Sequence, residues 1–588
     1  MASNQFLLSF FFLLILTASP IPGALSSPYA QEAQALLQWK SSLSQSEALR
    51  SWTPVLPSAN ASIPTTKEVS PCNWTGISCT SAGSVSQIVL RNVSLEGTLD
   101  AFNFSSFPNL VHLNLSHNSL QGNIPAHLGV LPNLAYLDLS VNYLSGPLPS
   151  SLSNLTGILE LHLSDNVISG PISAHLLAKW TKLVSLQLQA NGLTGKIPSN
   201  IRSLTSLRYL DLSENQLVGS IPGELGAAEE LLNLRLGSNT LTGAIPPSLG
   251  NLTHLEVLGI SYNQLSDPIP PEVGKLTQLS HLQLQGNNFE GFIPPGAGNL
   301  KQLFLLDLSN NLLNGSIPQT FGNFTSLGVL HLYGNNLSGS IPMEIGNLKK
   351  LYQLDLSGNS LNGSLPSALA NLTELAFLYL YKNQISGEIP DELGNYNHLL
   401  HLQISTNLLT GPVPSTLGNL TSLTSLLLHE NQLHGTIPPQ IGNLINLQVL
   451  NLFSNNLTGS IPPSFENLQS LRVLSLMDNH FTGQIPLGIR NSTRLELLVL
   501  SRNSFTGYIP QVCRGGLLAI FTANNNQFVG FMPGALRNCT SLIRLRLDHN
   551  QLMGNISEVF GIYPYLNYID LSYNRLQGEL SSKWAASA

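Results

Sequence analysis

LAFLYLYKNQISGEIP, residues 375–390, decides the fold. It follows the pattern Leu-x-x-Leu-x-Leu-x-x-Asn-x-Ile-x-Gly-x-Ile-Pro, and near copies recur about every 24 residues along the chain. In Leu-x-Leu, side chains alternate across a short strand, so Leu378 and Leu380 point inward while Phe377, Tyr379 and Tyr381 face solvent. Asn383 also turns inward, where its amide can meet backbone groups whose burial unpaired would cost about 1–3 kcal/mol each. Gly387, Ile389 and Pro390 shape the exit onto the second side. A generic copy, LRYLDLSENQLVGSIP at residues 207–222, has Tyr, Asp, Ser and Glu where this one has Phe377, Tyr379, Tyr381 and Lys382. The fixed positions specify the scaffold, and departures of this kind specify function.

Working outward, an incomplete repeat (IVLRNVSLEGTL) has Val93 where asparagine is expected. The fixed asparagine then stands at 118, 142, 166, 191, 215, 239, 263, 287, 311, 335, 359, 383, 407, 431, 455, 479, 503, 526, 550 and 574, twenty full repeats spaced by 23 to 25 residues. This is a leucine-rich-repeat solenoid, of α/β repeat class, with one long parallel sheet on its concave side. Twenty strands about 4.8 Å apart give an inner arc on the order of 95 Å, a scaffold for a long partner rather than an enclosed pocket.

The 588 residues carry only 10% charged residues and a net charge of −7, with no basic run. Nothing therefore points to nucleic acid or to an anionic membrane surface. An apolar run at residues 6–16 (FLLSFFFLLIL), with Ala24 and Ser26 at small-residue positions, reads as a secretory leader over 1–26 cleaved after Ser26. No later apolar run reaches about 18 residues, so the chain as given is expected to be secreted. Residues 27–84 read as an N-terminal cap: an amphipathic helix over 31–43 with Leu36, Leu37, Trp39 and Leu43 on one face, then Trp52 and a Cys72–Cys79 loop. The array occupies 85–580, and 581–588 (SSKWAASA) form a tail that leaves an exposed sheet edge, an expected weak point.

Four cysteines suit an oxidising compartment, and 72–79 with 513–539 is the most economical of three pairings, since Cys513 and Cys539 lie about one repeat apart. No His/Cys cluster accompanies them, so no metal and no cofactor is expected. Asn-x-Ser/Thr sequons begin at Asn60, Asn73, Asn92, Asn103, Asn114, Asn154, Asn251, Asn314, Asn323, Asn336, Asn362, Asn371, Asn419, Asn456, Asn491, Asn538 and Asn555, which implies heavy glycosylation in a secreted chain. Asn114 occupies an outward strand slot, so a glycan there would push a ligand toward the middle and late repeats.

Many repeats present a bland outward pair, such as Asp211/Ser213, Asp307/Ser309 and Asp355/Ser357, read as repeating polar stacks. Repeats eight to sixteen differ, with His281, Gln283 and Gln285; His331 and Tyr333; Phe377, Tyr379, Tyr381 and Lys382; His401 and Gln403; Leu427 and His429; Phe453; and Met477. Aromatic groups gathered in this way suit a recognition surface, the other reading being aromatics that merely pack on each other across strands. Arg544 and Arg546 are alternate outward residues of one strand, placed to hold a carboxylate or to pair with Asp548 or Asp570. His162 with Asp165, and Asp548 with His549, lack a nucleophile or pocket and read as solvated face residues.

The Leu-x-Gly-x-Ile-Pro repeat form, the ALLQWKSSL helix and the PCNWTGISC cap resemble plant leucine-rich-repeat receptor-like kinases. The segment at residues 512–572 is similar to the subgroup of MDIS-interacting receptor-like kinases, and the resemblance covers essentially the whole chain. It implies an ectodomain that binds a secreted peptide on the concave sheet and pairs with a smaller leucine-rich-repeat co-receptor. It also implies that the Arg-x-Arg layout of Arg544 and Arg546 grips a ligand's free C-terminus. Family members continue through further repeats, a membrane helix and a kinase, whereas this chain shows no Gly-rich phosphate loop, HRD or DFG, so kinase activity is not carried over and no enzyme is expected. The expectation is a truncated receptor or a secreted receptor-like form. The alternative is a secreted inhibitor of microbial wall-degrading enzymes; a wall-anchored structural role would need a basic, pectin-binding face, and none is present.

Overall fold

A computed structural model of the protein describes residues 28–44, 47–54, 70–557 and 559–579. The expected leader, the sequon Asn60 and the tail from 581 lie outside the described residues. A typical repeat is an inner strand, a short second strand and a short 3-10 segment, as in Phe377–Tyr379, Ser386–Glu388 and Asp391–Asn395. The inner strands form one sheet of 22 strands. Its members pair in parallel from repeat to repeat, except that Ile77–Cys79 from the cap pairs antiparallel with Val85–Val89.

The scaffold positions behave as the pattern requires. Leu375, Leu378 and Leu380 are fully buried, and Ile385 and Ile389 nearly so. Asn383 Nδ2 donates to the carbonyls of Leu356 (3.0 Å) and Leu380 (3.1 Å), and its Oδ1 accepts from the backbone N–H of Leu361 (3.0 Å). Two of these three partners belong to the preceding repeat, so each asparagine completes the turn before its own.

Two features of the repeat depart from the sequence reading. The residue before each ladder asparagine is left-handed, with φ of 54° at Lys382 and 53° at Thr406 and Glu430. Lys382 therefore stands on a turn beyond the strand, not on the strand face beside Tyr379. The Ile-x-Gly segments also form strands of their own. They build an eight-stranded sheet over the N-terminal repeats and smaller sheets beyond. Period-2 patterning conceals these strands because they are two to five residues long and most contain a glycine at positive φ, such as Gly387 at 77°.

On the convex side Pro390 enters the 3-10 turn at φ −63°, and the turn closes within five residues. Gly394 follows from close stacking of successive turns: a Cβ there would lie 2.3 Å from the Thr416 carbonyl oxygen. The convex segment at Ala174–Lys179 is instead α-helical.

The cap helix spans Pro28–Ser42, displaced slightly from the expected 31–43. Trp39, Trp52 and Phe102 are buried in a ring cluster with Trp74: Trp39 meets Trp52 at 6.3 Å and Phe102 at 4.7 Å, and Trp52 stacks on Trp74 at 5.7 Å. The indole N–H groups donate to Thr98 and Thr75 carbonyls, each at 3.0 Å, so the cluster buries no unpaired donor. Cys72 bonds Cys79 and Cys513 bonds Cys539, as the spacing suggested.

Glu32 pins the cap to the array. Its fully buried carboxyl accepts from Ser84 Oγ (2.5 Å) and from the Val85 N–H (2.9 Å). Burial raises its pKa above 4.5, and those two hydrogen bonds offset this only in part. A raised carboxyl favours the folded state when protonated, so its contribution is complete below the ordinary value and is lost as pH rises through the folded value. Glu32→Gln is expected to remove that portion of the pH dependence of cap unfolding, read as melting temperature against pH. Parallel profiles for the two proteins would refute the assignment.

Candidate ligand-binding face

Strand register decides which outward side chains meet. Phe377 lies between Gln353 and His401, and Tyr379 between Asp355 and Gln403, because each strand pairs residue for residue with its neighbours. The Phe377 ring packs edge-on against Tyr352 (5.3 Å) and His401 (5.1 Å) and lies 6.3 Å from Tyr379. The Tyr379 hydroxyl and His401 Nδ1 are 3.0 Å apart. Burial pushes the Tyr379 phenol up, helped by the Asp355 carboxylate, and burial pushes the His401 imidazole down. Burial thus disfavours the charged form of both groups, and one hydrogen bond joins the phenol to the ring nitrogen. These side chains are half-buried, because they pack on one another as well as facing the concavity.

Beside them runs a second row. Asp307 Oδ1 accepts from the backbone N–H of Ser309 (3.0 Å) and its Oγ (2.6 Å), and Asp355 does the same with Ser357 (3.0 and 2.5 Å). The Asp/Ser pairs are therefore clamps within one repeat rather than stacks between repeats, and each leaves Oδ2 for the face. Asp307 Oδ2 meets His331 Nδ1 at 3.3 Å, while Asp355 Oδ2 has no hydrogen-bond partner among the described residues. Burial raises the Asp355 carboxyl and the Asp307 carboxylate adds to this, against the lowering by Ser357 and His331. His331 Nε2 is buried without a partner.

The remaining outward residues fall on either side. His281 contacts Ser280 Oγ (2.8 Å) and lies 5.9 Å from the Phe304 ring. Gln283, Gln403, Leu427 and Met477 are half-buried, and Gln285 Oε1 is enclosed without a partner. Tyr333 sits 5.9 Å from His331. His429 stacks on Phe453 at 4.5 Å as a separate pair, and burial pushes its imidazole down. Phe304 and Tyr352, 49% and 47% exposed, belong to this face and were missed. They occupy the slot directly after a scaffold leucine, a place where most repeats carry nothing distinctive. Between them Gly328 leaves room for the Phe304 ring, which lies 2.5 Å from where a Cβ would stand.

Arg544 and Arg546 do project to one side, but in different states. Arg546 Nε and one terminal nitrogen each lie 3.1 Å from the two carboxylate oxygens of Asp548, and Asp570 Oδ2 is 3.9 Å away. Asp548 is 1% exposed, which corrects its reading as a solvated residue; His549 Nδ1 also meets it at 3.0 Å. Arg544 is exposed, with its guanidinium 4.8 Å from the centre of the Tyr568 ring. His162 bonds Ser185 Oγ at 3.0 Å, and Asp165 stands apart on a left-handed turn. Asn114 Nδ2, the atom a glycan would occupy, donates to Asp138 Oδ2 at 3.1 Å. Among the described residues no group of three or more His, Cys, Asp or Glu is placed to hold a metal ion.

Thirteen segments between residues 109 and 492 match the family model Leucine Rich Repeat, and residues 30–80 match the Leucine rich repeat N-terminal domain. The chain is 42% identical over 123 residues to a probable leucine-rich repeat receptor-like protein kinase of Arabidopsis thaliana, 21% of this chain and 10% of that protein. It is 38% identical over 101 residues to MDIS1-interacting receptor like kinase 2 of the same plant, 17% of this chain and 9% of that one. The matched stretches thus span about a tenth of these relatives' length. Among solved structures, PEPR1 with AtPEP1 is 34% identical at a TM-score of 0.87, covering 94% of this chain and 77% of that one. The Arabidopsis receptor kinase HAESA, solved with the peptide hormone IDA and the co-receptor SERK1, is 31% identical at a TM-score of 0.72, covering 91% and 98%. The chain belongs to the leucine-rich-repeat family, among the ectodomains of plant receptor-like kinases.

Proposed function

We propose that this chain is an extracellular recognition domain that binds an extended secreted peptide along its concave sheet, without catalysis of its own, and that it pairs with a leucine-rich-repeat co-receptor. The observation that carries this reading is the gathering of Tyr352, Phe377, Tyr379 and His401 into one partly exposed ring cluster near the middle of the sheet. Rings held by cross-strand neighbours lose little freedom on binding, which is the condition under which aromatic contacts contribute most to affinity. The solved complex of HAESA with IDA and SERK1 supports both the peptide and the pairing. Arg544, exposed at the far end of the face, is the residue proposed to meet an anionic group of the ligand, with Arg546 held beside it by Asp548.

The double variant His401→Asn/Gln403→Thr installs a glycosylation sequon in the centre of the cluster. Expressed in a glycosylating host, it is expected to fold, since both positions face outward, and to lose peptide binding altogether. Undiminished affinity in the glycosylated protein would place the ligand elsewhere.

A further inference from the structure

We infer that the row Asp307, His331 and Asp355 receives a cationic side chain, arginine or lysine, of the bound peptide; this rests on the peptide-binding reading above. Two carboxylates stand two strands apart on the same outward column, with a histidine between them. From His281 to Phe453 the outward strand positions contain no lysine or arginine, and Lys382 lies on the turn beyond. The negative charge of this stretch is therefore not matched by any lysine or arginine on the face itself.

The row keeps acceptor capacity to spare. Asp307 and Asp355 use Oδ1 in their serine clamps, and Asp355 Oδ2 is left open to the concavity. His331 Nδ1 faces Asp307 Oδ2, and His331 Nε2 is enclosed with no partner to meet it. A carboxylate oxygen that loses water without gaining a donor is unfavourable, and a group that brings only donors meets Asp355 Oδ2 without that cost. Ammonium and guanidinium groups are donor-only. The flanks suit the same guest: the Tyr333 ring lies beside His331 and the Tyr379 ring beside Asp355, and ring faces attract cations. An anionic guest would meet two carboxylates, and an apolar one would leave both carboxylates desolvated.

The clamp offers a clean test because an asparagine can make it. Asn114 Oδ1 accepts from the Ser116 N–H (3.0 Å) and Oγ (2.8 Å) in the first full repeat, just as Asp355 does from Ser357. Asp307→Asn/Asp355→Asn therefore removes charge while keeping the fold of the face; because both sites then read Asn-Leu-Ser, a glycosylation sequon, this variant and its wild-type comparator are made in a non-glycosylating host. Random dodecapeptides displayed on phage are selected on the full wild-type chain, keeping those that do not bind the glycosylated His401→Asn/Gln403→Thr control. The expected result is a fixed arginine or lysine in the selected peptides. Citrulline or norleucine at that position is expected to weaken binding to wild type by about tenfold or more, and binding to the asparagine double variant hardly at all. Selected peptides with no fixed basic residue, or an equal loss against both proteins, overturn the cation site and leave the peptide-binding reading intact. A selection that returns no peptide sensitive to the control sinks both.

Discussion

Replacing Phe377 with alanine is expected to weaken peptide binding by about 2 kcal/mol, roughly thirtyfold, the size of effect that separates an anchoring residue from its neighbours. The ring touches Tyr352 on one side and His401 on the other, so its loss removes a contact surface and also frees two side chains that it holds in place. Folding should suffer less. The ring is half-buried, and cross-strand aromatic pairs contribute about 0.2–1 kcal/mol each, so the melting temperature should fall only slightly. Titration calorimetry with a peptide selected on the wild-type face reads the first quantity and thermal unfolding the second. Affinity within about twofold of wild type would remove Phe377 from the contact surface.

One residue later the sign of the argument reverses. Leu378→Ala is expected to lower stability by about 2–5 kcal/mol, because the side chain is fully buried and its removal leaves a cavity between layers that cannot close. Leu378 pairs with Leu354 and Leu402 in the adjacent strands, so the damage should concentrate there. A repeat array interacts mainly through nearest neighbours, and hydrogen exchange should therefore accelerate first in these three strands, with the cap little affected. Uniform acceleration along the chain would contradict this. Peptide affinity, measured below the onset of unfolding, should change far less than in Phe377→Ala. Two adjacent residues thus separate the scaffold from the contact surface.

That separation was legible in the sequence because each scaffold slot admits few residues. An inward leucine, a bonded asparagine and a glycine pressed against the next turn leave a periodic mark that twenty copies repeat. The outward residues could be named but not paired, since Phe377 and His401 meet only through a register set 24 residues apart. Phe304 and Tyr352 escaped because their slot follows a leucine and carries no periodic signature of its own. Asp548 looked like a solvated carboxylate until its neighbours Arg546 and His549 were seen to enclose it. Lys382 was counted with the outward residues of the face because alternation gives no warning of a left-handed turn. The second sheet was invisible for a related reason: short, glycine-bearing strands run against ordinary strand preference.

The asparagine ladder gives the array a direction. Asn383 bonds to Leu356 and Leu361 of the repeat before it, so a lesion at Asn383 uncovers backbone on its N-terminal side, while the following turn keeps Asn407 and its bonds to Leu380 and Ile385. Stability along the solenoid is in this sense asymmetric: every repeat is finished by its successor, and disorder introduced at one asparagine should spread toward the cap sooner than away from it.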